Sequence, residues 1–557
     1  MQQTDNTSLE TPTGLFFHWE RTAPDKVYLR QPQGPGQYRD YTWGEVGDQV
    51  RRMATALRAL GLKPGDKIAI AARNSAHWVM ADQAITAGGF VSVGIYPKQA
   101  TDAVRYVLEH SEAKAIFLGP ILGQDGIVAG IPQGVTTIAF PYADSPTAMH
   151  RWDELIAAHE PMGDTPEPTA DSLWTLVYTS GTTGLPKGVA LSHGASAFAA
   201  SNAVTAFDMQ PDEVFFSYLP LAHIAERGIV EGMSLYSGGS IAFLENIDRF
   251  AEQLAEVAPT RFFAVPVVWN KLRAGILAKV PQHKLDRLLR VPLLGRYIAG
   301  KIRKALGLHR VRQAISGAAP LPQDIQAWFA RLGIEVLQGY GMSENLAYCS
   351  ANRPGRNKAG SVGEALPGCE IRIDDKGEIL TRGPATMMGY YKDPEKTRET
   401  LVDGWLQTGD KGHLDADGHL FITGRVKEIF KTLKGKYVAP APIEGAFSRN
   451  PMIDLICLMG SGMKQPVAVV VLDSALRKPW DEVRAALQTT LEEINPELEA
   501  HERLSHLFVT AEEWSPDNGM VTPTLKVRRD RVESLYLPAI EARLGGEAVQ
   551  QLPALLE

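Results

Sequence analysis

Between residues 42 and 118, helical and extended segments take turns, and this alternation restricts the fold more than any other feature of the chain. Thr42-Trp43-Gly44-Glu45 reads as a capping box, with threonine and glutamate side chains satisfying each other's backbone N–H groups. Val46, Val50, Met53, Leu57 and Leu60 follow at helical spacing, and Gly61 stops the helix. Pro64-Gly65-Asp66 turns into a strand over 67–72. A helix near 75–88, a strand over 90–95, a helix over 101–110 and a strand over 113–118 come next. Strands joined through helices lie mostly parallel, with helices on both faces of the sheet. The fold class expected is α/β, with doubly wound sheets.

A second register begins near residue 360. Residues 370–374 and 377–380 read as short strands joined by an Asp-Asp-Lys-Gly turn, and Asp415-Ala416-Asp417-Gly418 as another hairpin turn. After about 425 the chain becomes α+β, and the remainder is long enough for a small domain of its own.

Net charge is −7, which argues against a nucleic-acid binder driven by bulk charge. Cys349, Cys369 and Cys457 show no C-x-x-C spacing, so a zinc site is not expected. The polar N-terminus has no signal-peptide core. No apolar run approaches the ~18 residues of a membrane span. The longest runs, such as 262–269, suit buried strands. The expectation is a soluble cytoplasmic protein.

Thr179-Ser180-Gly181-Thr182-Thr183-Gly184 gathers three threonines, a serine and two glycines into six positions, with Lys187 and Gly188 close behind. Glycine leaves backbone N–H groups approachable and hydroxyls donate in many directions, so such a run can surround polyphosphate. Residues 173–178 and 188–191 read as core strands holding it. It is not a Walker loop, because Pro186 stands where the second glycine of that pattern belongs.

Further stretches carry polar residues in unexpected places. LPLAHIAER (219–227) holds His223, Glu226 and Arg227. ISGAAPLP (315–322) ends a strand in Gly317, Ala318 and Ala319. LQGYGMSE (337–344) includes Gln338, Gly339, Tyr340, Gly341, Ser343 and Glu344. WLQTGD (405–410) ends in Asp410. TGRVKEIFKTLKGKYVAP (423–440) contains Arg425, Lys427 and Gly435, and TPTLKVRR (522–529) contains Lys526. Each residue alone has a bland reading, as a structural histidine, a core tyrosine or a solvated loop acid.

Together and in this order, from about residue 14 to 535, these motifs resemble the adenylate-forming superfamily. LPLAHIAER, ISGAAPLP and GRVKEIFKTLKGKYVAP look most like its long-chain fatty acyl-CoA synthetase branch. Ser343, where threonine is commoner, and Ala441, where this branch often has glutamate, depart from the pattern. The resemblance implies a large domain over 1–424 that includes a small barrel-like part. Beyond a hinge near Lys427 it implies a small mobile α+β domain over 425–557.

It also implies a reaction in two halves. A carboxylic acid and ATP give acyl-adenylate and pyrophosphate, and CoA then displaces AMP. The resemblance assigns Thr179, Ser180, Gly181, Thr182, Thr183, Gly184 and Lys187 to the phosphates, and Glu344 with Thr179 to Mg²⁺. Gly317, Ala318, Ala319, Gln338, Gly339, Tyr340, Gly341 and Ser343 would lie about the adenine end. Asp410 and Arg425 would meet the ribose, Lys526 would serve adenylation, Gly435 the CoA passage, and His223 the meeting point of acyl group and CoA. Candidates for the acyl pocket follow His223, near Tyr236, Gly238 and Gly239, with Trp269. An aryl-acid CoA ligase, a fatty acyl-AMP ligase loading a carrier protein, and a non-catalytic nucleotide- or acyl-binding protein remain as alternatives.

Residues 283–312 form a basic island. Lys284, Arg287, Arg290, Arg296, Lys301, Arg303, Lys304, Arg310 and Arg312 face only Asp286 in the sequence. Two amphipathic helices separated by Pro292 are expected there, with peripheral contact to the inner face of a membrane as the sharper reading.

Overall fold

A computed structural model describes residues 9–555, apart from 122–123, 164, 180–184, 475, 517 and 523–525. The alternation at the start of the chain forms as its residues dictate. Helix Trp43–Ala59 begins at Thr42 with both capping-box hydrogen bonds made. Strand Lys67–Ala71, helix Ala76–Ala87, strand Val91–Ile95, helix Thr101–Ser111 and strand Ala115–Leu118 follow. The three strands are parallel. They sit within an eight-stranded sheet whose far edge adds the antiparallel strands Lys187–Ser192 and Gly389–Tyr390.

A nine-stranded sheet lies beside it, parallel through its middle and antiparallel at both edges. Apolar residues from both sheets meet in one core with the helices between them. Ile68 and Ile70 point into this core, whereas Ala69 and Ala71 point to the other face and a second core. This is the period of two that a strand imposes. Helix Ala76–Ala87 is buried on every side, as its apolar sequence requires.

Two differences from the sequence reading have plain causes. The apolar run 262–269 is not one strand. Strand Arg261–Ala264 ends before Pro266, which opens helix Pro266–Lys279 and carries Trp269 into it. Proline forces the preceding residue extended and suits the first helical position. Arg312 is not a free member of the basic island, because it pairs with Asp212 at 2.6 Å.

The hairpins after residue 360 build an antiparallel five-stranded sheet, the small part attached to the large domain. The turns at Gly377 and Gly418 both have positive φ. Beyond Arg425 the chain forms a four-stranded sheet with helices Pro440–Phe447, Trp480–Ile494 and Arg529–Glu541, and two apolar cores of its own.

Arg227 is the centre of a charged group inside the large domain. Arg227 donates to Asp82 and to Thr175, each at 2.5 Å, and its guanidinium stacks over Trp174. Glu231 sits 3.7 Å from Arg227. Burial first, and the charge of Asp82 second, hold the Glu231 carboxyl well above the usual range. Removing one partner of a buried pair strands the other, so Asp82→Ala should cost ~3–5 kcal/mol in urea unfolding. The paired change Asp82→Leu with Arg227→Met should recover most of that loss. Equal losses in the single and double variants would show that the pair is not the reason.

Candidate active site

The loop proposed to cradle phosphate is held between strands Leu173–Thr179 and Lys187–Ser192, which pair antiparallel with Thr179 opposite Lys187. Ser180, Gly181, Thr182, Thr183 and Gly184 lie outside the described residues. The two side chains at its base are placed by the register itself. The Lys187 ammonium lies 5.4 Å from the Tyr390 ring. Burial, then the nearby Lys396 and Lys427, hold it below the ordinary lysine range, with Asp393 and Glu344 opposing.

Glu344 stands in a single turn, Ser343–Asn345, and is buried. Tyr390 donates its hydroxyl to Glu344 Oε1 at 2.7 Å. Tyr390 belongs to the edge strand paired with 187–192, so one strand pairing brings Lys187 and Glu344 to the same tyrosine. Tyr390 escaped the sequence reading. The only signal was its doublet with Tyr391 just ahead of an Asp-Pro helix start.

At the other end, Asp410 joins three parts of the fold. Tyr340, ending strand Val336–Tyr340, donates to Asp410 Oδ2 at 2.6 Å. Arg425 meets Oδ1 at 2.9 Å from the paired strand. Asp410 and Arg425 are direct cross-strand partners in that pairing. Each carboxylate oxygen keeps a second lone pair for further donors. Burial, then Asp410, raise the Tyr340 hydroxyl well above its usual range, so it stays a donor.

Gly317 lies between the Phe263 ring and the Gly339 carbonyl, where a Cβ would come within 3.2 Å and 3.4 Å of them. Ala318 has φ +68 and, with Ala319, is exposed. A short side chain and an open backbone are therefore what this strand end presents. The Gln338 carboxamide oxygen accepts from the Leu321 N–H at 2.9 Å, so it shapes the loop after Gly317. Gly341 packs against the Ala347 backbone, where a Cβ would lie 2.3 Å away. Ser343 is buried.

His223 caps the turn Ile224–Glu226, its Nδ1 accepting from the Ala225 N–H at 3.2 Å. An accepting Nδ1 places the proton on Nε2. Burial pushes the imidazole down to about 4, so the ring is neutral at ordinary pH. The neighbouring Glu226 accepts from Ser217 Oγ at 2.8 Å and the Tyr218 N–H at 3.0 Å. Burial lifts its carboxyl to about 8. Glu226 and Arg227 are buried and hydrogen-bonded inside the fold, though Glu226 Oε2 and Arg227 Nε have no hydrogen-bond partner among the described residues; of the three polar residues in LPLAHIAER, His223 alone reaches toward solvent.

Lys526 comes from the small domain and lies 3.4 Å from Glu428 Oε1. The Lys526 side chain is half exposed; partial loss of its hydration and then Arg425 lower its ammonium, while Glu428 and Asp410 oppose. The domain thus presents Lys526 to the Asp410–Arg425 end of the site. Lys427 follows the last strand of the antiparallel sheet, beside the bond from the Val426 N–H to the Gly409 carbonyl at 2.8 Å. Gly435 is exposed at a turn with φ +74 and open space where a Cβ would point. Among the acyl-pocket candidates, Tyr236 donates to the Glu10 carbonyl and Trp269 packs on Phe262 and Phe329. A small void of about 10 Å³ lies between Ile229, Val230 and Met233, just after the His223 motif, and Phe263 and Ile315, with Arg261 also in its lining.

Among the described residues there is no cluster of three or more potential metal ligands. The arrangement gathers Lys187, Glu344, Tyr340, Asp410 and Arg425 on a two-sheet domain, with Lys526 approaching from the small domain. The chain belongs to the AMP-binding enzyme family: residues 16–391 match the family's main model and residues 428–544 its C-terminal domain. It is 30% identical to long-chain-fatty-acid–CoA ligase FadD15 of Mycobacterium tuberculosis, across 95% of this chain and 96% of that protein. It is 29% identical to the peroxisomal long chain acyl-CoA synthetase 7 of Arabidopsis thaliana, across 96% and 86%. The fold matches the A domain of the carboxylic acid reductase from Segniliparus rugosus, solved with AMP and a co-purified carboxylic acid. The TM-score there is 0.81 at 22% identity, covering 97% and 94% of the two chains. The anthranilate CoA ligase AuaEII gives 0.78 at 21% identity, covering 96% and 98%.

Tyr340→Phe keeps the ring and removes only the donor to Asp410. Loss of that buried hydrogen bond should weaken AMP binding about tenfold, or ~1.4 kcal/mol, in a calorimetric titration. Unchanged affinity would mean that Arg425 alone orients the carboxylate.

Proposed function

We propose that the protein is an AMP-forming acyl-CoA ligase acting on a medium- or long-chain fatty acid. The observation that carries this reading is Lys526, delivered by the small domain to the Asp410–Arg425 end of a phosphate-loop site. The near full-length likeness to FadD15 supports the fatty-acid class.

In the first half, a carboxylate oxygen attacks the α-phosphorus of ATP, and the bond to the β-phosphate oxygen breaks, leaving acyl-AMP and pyrophosphate. Thr179, Lys187 and the loop 180–184 receive the β,γ-phosphates. Tyr340 and the backbone at 317–319 face the adenine, and Asp410 accepts from the ribose hydroxyls. Lys526 holds the substrate carboxylate against the α-phosphate, offsetting repulsion between two anions. Glu344 fits Mg²⁺: it is a buried carboxylate with one oxygen steadied by Tyr390, and this cation takes one or two carboxylates besides substrate phosphates. With Thr179 it would hold the ion, which supplies charge neutralisation on the phosphates.

In the second half, the CoA sulfur attacks the acyl carbonyl and the bond to the AMP oxygen breaks. We place the division between domains at 424/425, with the hinge at Lys427. Rotation there withdraws Lys526 and brings Gly435 toward the thiol's path. The neutral His223 offers its Nε2–H near the acyl carbonyl, and the acyl chain lies among the residues that follow His223.

Lys526→Ala should lower acid-dependent pyrophosphate release by ~10²–10³, as expected for a lost charge-assisted contact. Thioester formation from supplied acyl-AMP should persist. Equal loss in both halves would sink the assignment, and a carboxylate panel read by pyrophosphate release separates fatty from aryl acids. Because its folded pKa lies below the ordinary lysine value, Lys526 loses its proton earlier as pH rises. Adenylation should therefore fall on the alkaline side, and Lys526→Arg, which keeps its charge, should move that limb upward. A limb unmoved by this change would exclude Lys526 as its source.

A further inference from the structure

Helices Gln282–Arg290 and Pro292–Ala305 form a hairpin on the outer side of the nine-stranded sheet. Their inner faces anchor them through Leu285, Ala299 and Ile302 in the core shared with Phe262 and Trp269. The crossing is tight. A Cβ on Gly295 would lie 2.7 Å from the Leu289 carbonyl oxygen, so the two helices touch backbone to backbone. Trp328 and Arg331 of helix Gln323–Arg331 brace the first helix through Gln282 at 3.0 Å and Asp286 at 2.7 Å.

What the tip shows to solvent is unusual for a surface. Leu293 is 82% exposed, Tyr297 58% and Val291 50%, with Leu294 beside them. Lys284, Arg287, Arg290, Arg296 and Lys301 flank them and are exposed. None of these five forms an ion pair among the described residues, because Asp286, the acid within the hairpin, is taken by Arg331. Lys301 lies 4.7 Å from the Tyr297 ring. Arg303 is only partly exposed, beside Gly333, and takes no part in the rim.

We propose that this tip is a docking surface for an anionic phospholipid bilayer. Apolar side chains at a projecting point, ringed by unpaired cations, match a bilayer in order of depth: hydrocarbon below and negative headgroups around. The long cationic side chains reach the headgroups while their stems follow the apolar tip inward. A nucleic acid would use the cations and leave Leu293 in water. Among the described residues no helix is long and apolar enough to cross a membrane, so contact at the hairpin is peripheral. The proposal is independent of the reaction assigned above.

Flotation of the full chain with vesicles of phosphatidylcholine alone, and of phosphatidylcholine mixed with phosphatidylglycerol, tests it at low and high salt. The expected result is binding to the mixed vesicles at low salt, lost at high salt. The variant Arg287→Gln, Arg290→Gln, Lys301→Gln should partition about a hundredfold less. The variant Leu293→Ser, Leu294→Ser should also bind less, with salt dependence retained. Both variants should release pyrophosphate from a short soluble acid as the parent does, which verifies that they are folded. Absence of binding at low salt, equal binding to neutral vesicles, or unaltered binding by the two variants would overturn the proposal. So would a dimer in sedimentation velocity that the leucine variant dissolves, since a second copy would then cover the tip.

Discussion

The Asp410 carboxylate holds the site together. One oxygen takes the Tyr340 hydroxyl from the nine-stranded sheet, and the other takes Arg425 at the exit toward the small domain. Asp410 itself belongs to the antiparallel sheet and is buried. An ionised carboxylate is tolerated away from water only when it is paired and hydrogen-bonded. The three segments must therefore keep their relative positions for the charge to remain there. That requirement gives the site its geometry and also fixes where the chain leaves for its last domain.

A second buried charge does comparable work deeper in the large domain. Helix Ala76–Ala87 is enclosed on all sides, yet it carries Asp82 at its middle. Arg227 comes from the segment right after His223 to meet it, and Trp174 and Thr175, on the strand leading to the phosphate loop, complete the group. The His223 turn and the phosphate-loop strand are thus tied to one helix by one guanidinium. Motifs far apart in the chain share a rigid support.

Much of this was legible in the sequence because it rests on local rules. The capping box at Thr42, the βα alternation, and the turns at Gly377 and Gly418 depend on neighbouring residues. What was not legible depends on distant ones. Nothing near Glu226 and Arg227 announces that their partners are Ser217, Tyr218 and Asp82, so their polarity looked available for chemistry. Tyr390 meets Glu344 only through an edge pairing across some two hundred residues. Trp269 was misplaced because an apolar run does not say whether it is strand or helix, although Pro266 marked the change. Gln338 entered the reading by resemblance alone, and that its carboxamide oxygen is spent on the Leu321 N–H needed the fold.

The seam between the two domains has one further consequence. Helix Pro266–Lys279 and its neighbourhood meet the small domain through Asn270 to the Ser448 carbonyl at 3.0 Å, Lys271 to Asp454 at 3.4 Å and Arg449 to Asp324 at 3.5 Å. The ion pairs are partly exposed, and pairs of that kind contribute roughly 0–1 kcal/mol each. Such a seam parts and re-forms against water at little cost in either direction. A change in the angle between the domains would therefore meet little resistance from these three contacts, and the hydration of a few side chains would absorb it.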